Sequence, residues 1–361
     1  MGFKKFNAIN VSSKIAICGL PLRVDSYKNC SFNCRYCFSN NRKIMEFSKE
    51  LQVANISQFE KTLKRVHIDK NIKENSLIDN LLNEDITLHW GGMSDPFQQI
   101  EKELGITKQL IDITNKYNKH ILFSTKSDTI YNCDIKPDLH SFQLSFTSSK
   151  TNKELEPNVP SFENRLKFYK ELKSKGFKVG IRIQPFIPGI TDVELVEIFK
   201  DADYFTIEGL KLVPQNKEQK EFVYNNLGLS KELFTQKGLL NLKEEVRFSL
   251  YDEFIEQLNY YNIPFSIADN DMRSITSSKC CCGEPLVKKS TNFNTTAMLF
   301  SYGDEYTLEN VIENCPCEIM NSKASQLFTS NRTEGCVTLE EFYNKRFNRK
   351  SSPFSPKFQV I

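Results

Sequence analysis

The chain has 361 residues, of which 39% are hydrophobic and 26% charged, with a net charge of +3. This composition allows a sizeable core and does not demand a nucleic-acid surface, which would need locally clustered positive charge. No apolar run is long enough for a membrane span and no secretory segment begins the chain, so we expect a cytoplasmic protein without membrane partners; the sequence leaves the oligomeric state open. In a reducing compartment, its eleven cysteines indicate metal binding or catalysis rather than disulfides.

Predicted strands and helices alternate from residue 22 onward. The predicted strands are 22–27, 86–92, 120–125, 140–148, 177–189 and 204–214, with a seventh candidate at 263–269. The predicted helices are 56–68, 101–118, 161–176, 191–201 and 242–262. This alternation is typical of βαβ units with a parallel sheet.

We therefore predict an α/β fold, a partial (β/α)6 TIM-type barrel with a cysteine-containing C-terminal extension. A doubly wound sheet is the alternative, but no glycine fingerprint of the dinucleotide-binding kind follows the first strand. Residues 1–270 are predicted to form the barrel core. Residues 271–361 are predicted to form the extension, an auxiliary metal or substrate-binding region.

Three cysteines, Cys30, Cys34 and Cys37, lie in the stretch YKNCSFNCRYCFSN directly after the first predicted strand. In barrel enzymes the loops after the strands carry the chemistry. A structural zinc ion usually takes four ligands from paired clusters, and bacterial ferredoxins space their cysteines differently. Three thiolates from one loop fit three irons of a 4Fe–4S cluster and leave the fourth iron open, as catalytic metal sites do. Zinc is the alternative metal.

The C-x3-C-x2-C spacing, with Tyr36 before the last cysteine, resembles the radical S-adenosylmethionine (SAM) superfamily. The stretches GGMSDPFQQIEK, STKS, LSFTS and ELEPNVPSFENRLK resemble its spore-photoproduct-lyase-like branch, also described as DNA-repair-photolyase-like, over roughly residues 20–215. The resemblance implies that the open iron of a 4Fe–4S cluster chelates SAM. Reductive cleavage of SAM then yields a 5′-deoxyadenosyl radical that abstracts hydrogen from a substrate.

The resemblance also implies which residues contact SAM. A tyrosine would pack near the adenine, two glycines would let backbone approach the methionine amino group, and a lysine would meet the carboxylate. Hydroxyl and carboxylate side chains would add polar contacts, and an arginine would meet the same carboxylate or the substrate. The implied residues are Tyr36, Gly91, Gly92, Ser94, Asp95, Lys126, Ser145 and Arg182, with Thr147 assisting Ser145.

One residue departs from the pattern of spore photoproduct lyase itself. In that enzyme a cysteine before the stretch that matches Met93–Asp95 returns hydrogen to the product radical. Gly92 stands at this place here, and glycine has no side-chain hydrogen to donate. We therefore expect a relative of the lyase and not the lyase.

A second group of cysteines lies in SKCCCGEPL, about a dozen residues after the seventh candidate strand. We expect Cys280, Cys281 and Cys282 above the mouth of the barrel. They could ligate an auxiliary iron–sulfur cluster or zinc; Cys281 or Cys282 could be a catalytic hydrogen donor; or all three could be reduced, buried thiols. The cysteines that could join such a metal site are Cys315, Cys317 and Cys336.

The predicted function is a radical SAM enzyme that acts on a nucleic acid or nucleotide and receives electrons from an external donor such as flavodoxin or ferredoxin. One alternative is radical SAM modification of a peptide or protein. The other is a zinc-stabilised nucleic-acid-binding protein without catalysis.

Overall fold

The computed structural model describes residues 3–12, 15–37, 39, 51–236, 238–303, 306–321, 338 and 341. Its strands are β1 Lys4–Phe6, β2 Ile9–Val11, β3 Leu22–Val24, β4 Tyr27–Lys28, β5 Gln52–Ala54, β6 Leu88–Trp90, β7 Ile121–Thr125, β8 His140–Phe146, β9 Lys178–Phe186, β10 Tyr204–Gly209, β11 Lys211–Leu212, β12 Leu240–Asn241 and β13 Phe265–Ile267. Its α-helices are α1 Ile56–His67, α2 Leu77–Asn83, α3 Glu101–Leu104, α4 Ile106–Lys116, α5 Phe162–Ser174, α6 Glu194–Ile198, α7 Lys217–Glu221, α8 Glu244–Tyr260, α9 Thr295–Tyr302, α10 Leu308–Asn314 and α11 Cys317–Met320.

The largest sheet within the described residues has eight strands in the order β2, β3, β6, β7, β8, β9, β10, β13. From β3 to β13 all neighbours pair in parallel, and β2 is antiparallel to β3. The spatial order follows the chain without the reversal that defines a doubly wound sheet. The predicted α/β class with a parallel sheet is confirmed, and the seventh candidate strand is present. The sheet does not close, because β2 and β13 do not pair with each other.

Aromatic side chains on the outer faces of the strands form much of the core beneath the helices. Phe142 of β8 lies edge-on to Phe168 of α5, and the two ring centroids are 6.4 Å apart. Phe146 lies against Phe199 with a centroid distance of 4.6 Å. Burial of each such ring contributes about 1.5–3 kcal/mol. The α5 helix begins after Ser161, whose hydroxyl accepts a hydrogen bond from an amide of its first turn, as its cap position predicts.

The predicted helix 101–118 is two helices. Gly105 adopts a left-handed φ of +57° and separates α3 from α4. The Glu101 carboxylate then accepts hydrogen bonds from the amides of Thr107 at 2.8 Å and Lys108 at 2.9 Å, so it caps the start of α4. A side-chain cap from the preceding turn stabilises a second helix start that periodicity alone does not reveal.

The chain reverses direction after β13 and returns to the amino-terminal edge of the sheet. The Ser277 amide donates to the Phe265 carbonyl at 2.8 Å, and residues 266 and 276 form an antiparallel bridge. Gly283 then packs on the ring of Tyr204, the first residue of β10; a Cβ at Gly283 would lie 2.3 Å from that ring. Leu286 lies beside the start of β9. Residues 278–287 therefore cover the amino-terminal end of the sheet, opposite the edge where βα loops carry chemistry.

Among the described residues, no helix combines the length and the apolar character needed to cross a membrane.

Candidate active site

The three-cysteine loop follows β4 and is held by side-chain amides from three other segments. Gln98 accepts a hydrogen bond from the Ser31 amide at 2.7 Å. Asn158 donates to the Ser31 carbonyl at 2.7 Å, and Gln219 donates to the Tyr36 carbonyl at 2.9 Å. The loop lies at the carboxyl-terminal edge of the parallel strands, where sequence analysis predicted it. These hydrogen bonds to backbone groups at Ser31 and Tyr36 help to position the loop.

The thiols of the loop are near one another and shielded from water. Burial, followed by the charge of Asp95, raises the pKa of Cys30 to about 12, and Cys37 contributes as well. Burial and Glu156 also raise the pKa of Cys34, with further effects of both other cysteines. Without a metal, Cys30 and Cys34 are therefore neutral thiols, and a metal would have to displace their protons.

No three His, Cys, Asp or Glu side chains of the described residues converge as the ligands of a single metal ion do. A tetrahedral zinc ion needs such convergence. A 4Fe–4S cluster binds each thiolate at a different iron, so three thiols of one loop are a donor set that it can use. The donor set of Cys30, Cys34 and Cys37 fits the cluster in chemistry and in its position at the carboxyl edge.

A buried ionic network lies next to the loop and centres on Glu156, which sequence analysis did not assign. The Tyr36 hydroxyl donates to one Glu156 oxygen, and Lys126 Nζ lies 3.0 Å from the same oxygen. Arg165 Nη2 lies 3.3 Å from the other oxygen, and Arg165 Nη1 donates to the Ser145 carbonyl at 2.7 Å. One carboxylate thus joins the cysteine loop, the end of β7 and the end of β8.

The network places two cations, Lys126 and Arg165, on the single Glu156 carboxylate, and the charge of Lys126 also acts on Asp95. Burial alone would raise the pKa of Glu156, but Lys126, Arg165 and the hydrogen bond from Tyr36 hold it at about 2. Lys126 Nζ is buried and has no hydrogen bond of good geometry within the described residues. An anionic group of a ligand would therefore find both charge and an open donor at Lys126.

Asp95 and Ser94 make contacts within the protein. The Asp95 carboxylate accepts from the Thr125 hydroxyl at 2.8 Å and from the Lys126 amide at 2.7 Å. Ser94 donates to the Tyr27 carbonyl at 2.6 Å. These contacts join the loops after β4, β6 and β7, so in this structure both side chains position the loops around the cysteines.

Gly91 needs to be a glycine in this fold. Its φ is +96°, and a Cβ there would lie 2.2 Å from the Ser124 carbonyl oxygen. The backbones of β6 and β7 therefore approach each other more closely than a side chain permits, directly beside the Asp95 contacts. Gly92 is less restricted, since its Cβ would meet only the side chain of Arg23, at 3.3 Å.

Arg182 and Ser145 lie at the same level of neighbouring strands, and their Cα atoms are register partners. Arg182 donates through Nη1 to Gln143 at 3.1 Å and through Nε to Gln184. The site residues from sequence analysis therefore gather in two layers: Tyr36, Lys126 and Ser145 are joined through Glu156 and Arg165, and Arg182 lies among interior amides.

The expectation that the second cysteine group lies above the mouth is wrong, because the chain reverses after β13. The Cys281 carbonyl accepts from Thr206 at 2.8 Å and the Cys282 carbonyl from Gln143 at 3.2 Å, in the middle of β10 and β8. The chain then continues toward the amino-terminal edge. Cys280, Cys281 and Cys282 are buried, and their thiols interact with one another.

The described residues give no support for an auxiliary metal among the C-terminal cysteines. Cys315 interacts with Cys317 and Glu84, near the contact of α11 with α2. Neither thiol is among the groups named as shifting the pKa values of Cys280, Cys281 and Cys282. Cys336 lies outside the described residues.

Comparison with known proteins supports the fold. No protein-family model matches the chain. An uncharacterized protein of Methanocaldococcus jannaschii, MJ0683, is 24% identical over 228 residues, 61% of this chain and 81% of that protein. A spore photoproduct lyase variant with dinucleoside spore photoproduct superposes with a TM-score of 0.53 at 16% identity, over 70% of this chain and 78% of that one. A variant with bound AdoMet and the same dinucleoside gives 0.51 at 17% identity, over 67% and 74%.

The chain has the fold of spore photoproduct lyase. The resemblance stated from sequence is thus confirmed at the level of the fold. The spore-photoproduct-lyase fold covers about two thirds of the chain. Glu156 and Arg165 lie within ELEPNVPSFENRLK, one of the stretches that carried the resemblance, and a buried ion pair between them was not foreseen. The sequence signal for this pair was Glu156 before a proline, nine residues ahead of Arg165, which lies on the buried face of α5.

Proposed function

We propose that this protein is a radical SAM enzyme in which Cys30, Cys34 and Cys37 hold a 4Fe–4S cluster. When bound, such a cluster supplies the electron that cleaves SAM to a 5′-deoxyadenosyl radical. The observation that carries the proposal is the three-cysteine loop beside a buried ionic network in which Lys126 Nζ has an open donor. The spore-photoproduct-lyase fold, solved elsewhere with AdoMet bound, supports it.

We assign the residues of the chain the following roles. Lys126 binds the SAM carboxylate with its open ammonium donor, and Glu156 orients it. Tyr36, fixed by its hydroxyl on Glu156, packs near the adenine. Gly91 and Gly92 let the backbone approach the methionine amino group.

The remaining residues that we assign to the cofactor site either hold its loops in place or lie on the neighbouring strands. Ser94 and Asp95 hold the loops that carry these donors. Ser145, with Thr147 directly after the end of the same strand, adds a hydroxyl contact to SAM. Arg182 lies deeper, where we assign it to the substrate. Burial of this site excludes water from a reactive radical, and that protects the radical from side reactions.

We propose a nucleic acid or nucleotide as the substrate. The support is the fold neighbour, which binds a dinucleoside spore photoproduct. The absence of a side chain at Gly92 indicates a reaction different from that of the lyase. A separate electron donor, such as flavodoxin or ferredoxin, would reduce the cluster, and we place the protein in the cytoplasm, where thiols stay reduced.

The test is anaerobic reconstitution with iron and sulfide, followed by dithionite and SAM. We expect about four irons per chain and release of 5′-deoxyadenosine, stimulated by DNA or nucleotides rather than by peptides. Cys34→Ser should lose both iron and product. Cys133→Ser is the matched control, because Cys133 is a buried thiol away from the loop. Stoichiometric zinc with no 5′-deoxyadenosine would overturn the proposal in favour of a non-catalytic zinc protein.

A further inference from the structure

The concave side of the sheet is polar, unlike the interior of an ordinary barrel. Gln143 of β8 donates to the Thr206 hydroxyl of β10 at 3.1 Å, across the intervening strand β9, so both side chains lie on the concave side. Barrel interiors are normally filled by branched apolar side chains. Most inward positions here are polar or glycine: Arg23, His89, Ser124, Gln143, Ser145, Gly180, Arg182, Gln184, Thr206 and Glu208. Leu122, the register partner of His89, and Tyr204, the register partner of Gly180, are the exceptions among their neighbours.

A chain of hydrogen bonds crosses this interior from Arg182 to His89. Arg182 Nη1 donates to Gln143 Oε1 at 3.1 Å. Ser124 Oγ lies 3.3 Å from the same oxygen and 2.8 Å from His89 Nε2. Arg23 is the register partner of His89 on the neighbouring strand β3. The side chains of Arg23 and Arg182 therefore both lie on the concave side, and the charges of both act on His89.

His89 responds to both cations. Burial lowers the pKa of His89 to about 3, and the positive charges of Arg23 and Arg182 contribute in the same direction. His89 is therefore neutral at physiological pH, and it supplies no third positive charge.

Among the described residues, no ion pair within 4.0 Å involves Arg23 or Arg182, although the charge of Arg23 acts on the Asp25 carboxyl over a longer distance. Arg23 Nε is buried and makes no hydrogen bond there. The nearest acid, Asp25, instead accepts a hydrogen bond from the Met93 amide at 3.3 Å. Both arginines are half-buried, and a partly desolvated cation without a close counter-ion is stabilised by a ligand of opposite charge.

One further charge lies below this pair. The pKa of Cys281 is lowered, first by hydrogen bonds from the thiols of Cys280 and Cys282 and then by the positive charges of two arginines, Arg273 and Arg182. Cys281 is hydrogen-bonded to Arg273, whereas Arg182 acts on it only through its charge. Above the pair, Gly92 leaves Arg23 Nη1 uncovered, since a Cβ at Gly92 would come within 3.3 Å of it.

We infer that Arg23 and Arg182 form a binding site on the concave side of the sheet for the phosphate group of a nucleotide substrate. Guanidinium groups bind oxyanions through paired N–H donors, and two of them match the charge of a phosphate better than that of a single carboxylate. The inference rests on the proposed function, because it names the substrate group that the same site receives. It also explains why neither interior arginine forms an ion pair within 4.0 Å among the described residues.

The experiment is calorimetric titration of the reconstituted, SAM-saturated protein with inorganic phosphate, and with acetate at equal ionic strength. SAM occupies Lys126, so this lysine does not add a second anion site. We expect phosphate to bind, Arg23→Met and Arg182→Met each to weaken it at least tenfold, and the double variant to abolish it. Lys150→Met, which removes an exposed lysine beyond β8, should leave it unchanged.

Thermal melting checks that the variants fold. Without phosphate, each arginine variant should keep a single cooperative melting transition, and phosphate should raise the melting temperature of the wild type but not of Arg23→Met. Unchanged phosphate affinity in both arginine variants overturns the inference, and so does acetate that binds as tightly as phosphate. If the protein releases 5′-deoxyadenosine but the arginine substitutions leave the phosphate affinity unchanged, only this inference fails. If the substitutions weaken phosphate binding but no 5′-deoxyadenosine forms, the proposed function fails.

Discussion

Replacing Glu156 by glutamine tests the network that joins the cysteine loop to Lys126 and Arg165. The substitution keeps the shape of the side chain and removes its charge. The fall of the Glu156 pKa from 4.5 to about 2 corresponds to roughly 3 kcal/mol of stabilisation of the charged carboxylate, at 1.36 kcal/mol per pH unit. We therefore expect Glu156→Gln to lower the free energy of unfolding by about 3 kcal/mol at pH 7, because two buried cations lose their counter-ion.

Urea unfolding followed by circular dichroism measures this loss, with Glu154→Gln as the control. Glu154 is exposed and two residues away, so its change should stay within about 0.5 kcal/mol. Since the folded-state pKa is depressed, the stabilisation is complete above pH 4.5 and disappears as the pH falls toward 2. The difference between the wild type and Glu156→Gln should shrink over the same interval. Equal stability of the two glutamine variants at pH 7 would refute the reasoning.

Three further predictions concern close backbone contacts and histidine. Gly91→Ala should destabilise the protein by more than about 3 kcal/mol and abolish SAM binding, because it combines backbone strain with a carbonyl clash; Gly105→Ala, with a positive φ but open space, should cost about 1 kcal/mol. Gly283→Ala should lower the melting temperature more than Gly105→Ala, because its Cβ enters the Tyr204 ring. His89 should stay neutral by NMR down to about pH 4, and its depressed pKa should make stability fall by up to about 1.4 kcal/mol per pH unit below pH 6.5.

The course of the sheet could be predicted from sequence, since the apolar outer faces of the strands and the amphipathic helices leave a clear periodic pattern. The helix cap at Ser161 was equally readable. The break at Gly105 was not, because it depends on the Glu101 carboxylate folding back on the next helix. The reversal after β13 also left no periodic signal, and this is why Cys281 was expected at the wrong end.

The three cysteines of the candidate site stand out in the sequence by their type and spacing, whereas Lys126 was expected there only through the family resemblance. Glu156 was not expected, because its role comes from three contacts with segments distant in sequence. Asp95 shows the reverse. Its type suggested a cofactor contact, whereas the folded chain uses both of its oxygens to tie neighbouring loops.

The covering of the amino-terminal end by residues 278–287 has a consequence for synthesis on the ribosome. Gln143 and Thr206 donate to the carbonyls of Cys282 and Cys281, so strands made early have polar groups whose partners are made more than seventy residues later. A nascent chain that ends at β13 still exposes these groups to water. The sheet can therefore complete its hydrogen bonds only after the C-terminal segment has left the exit tunnel, and a shortened chain would be a substrate for chaperones and proteases.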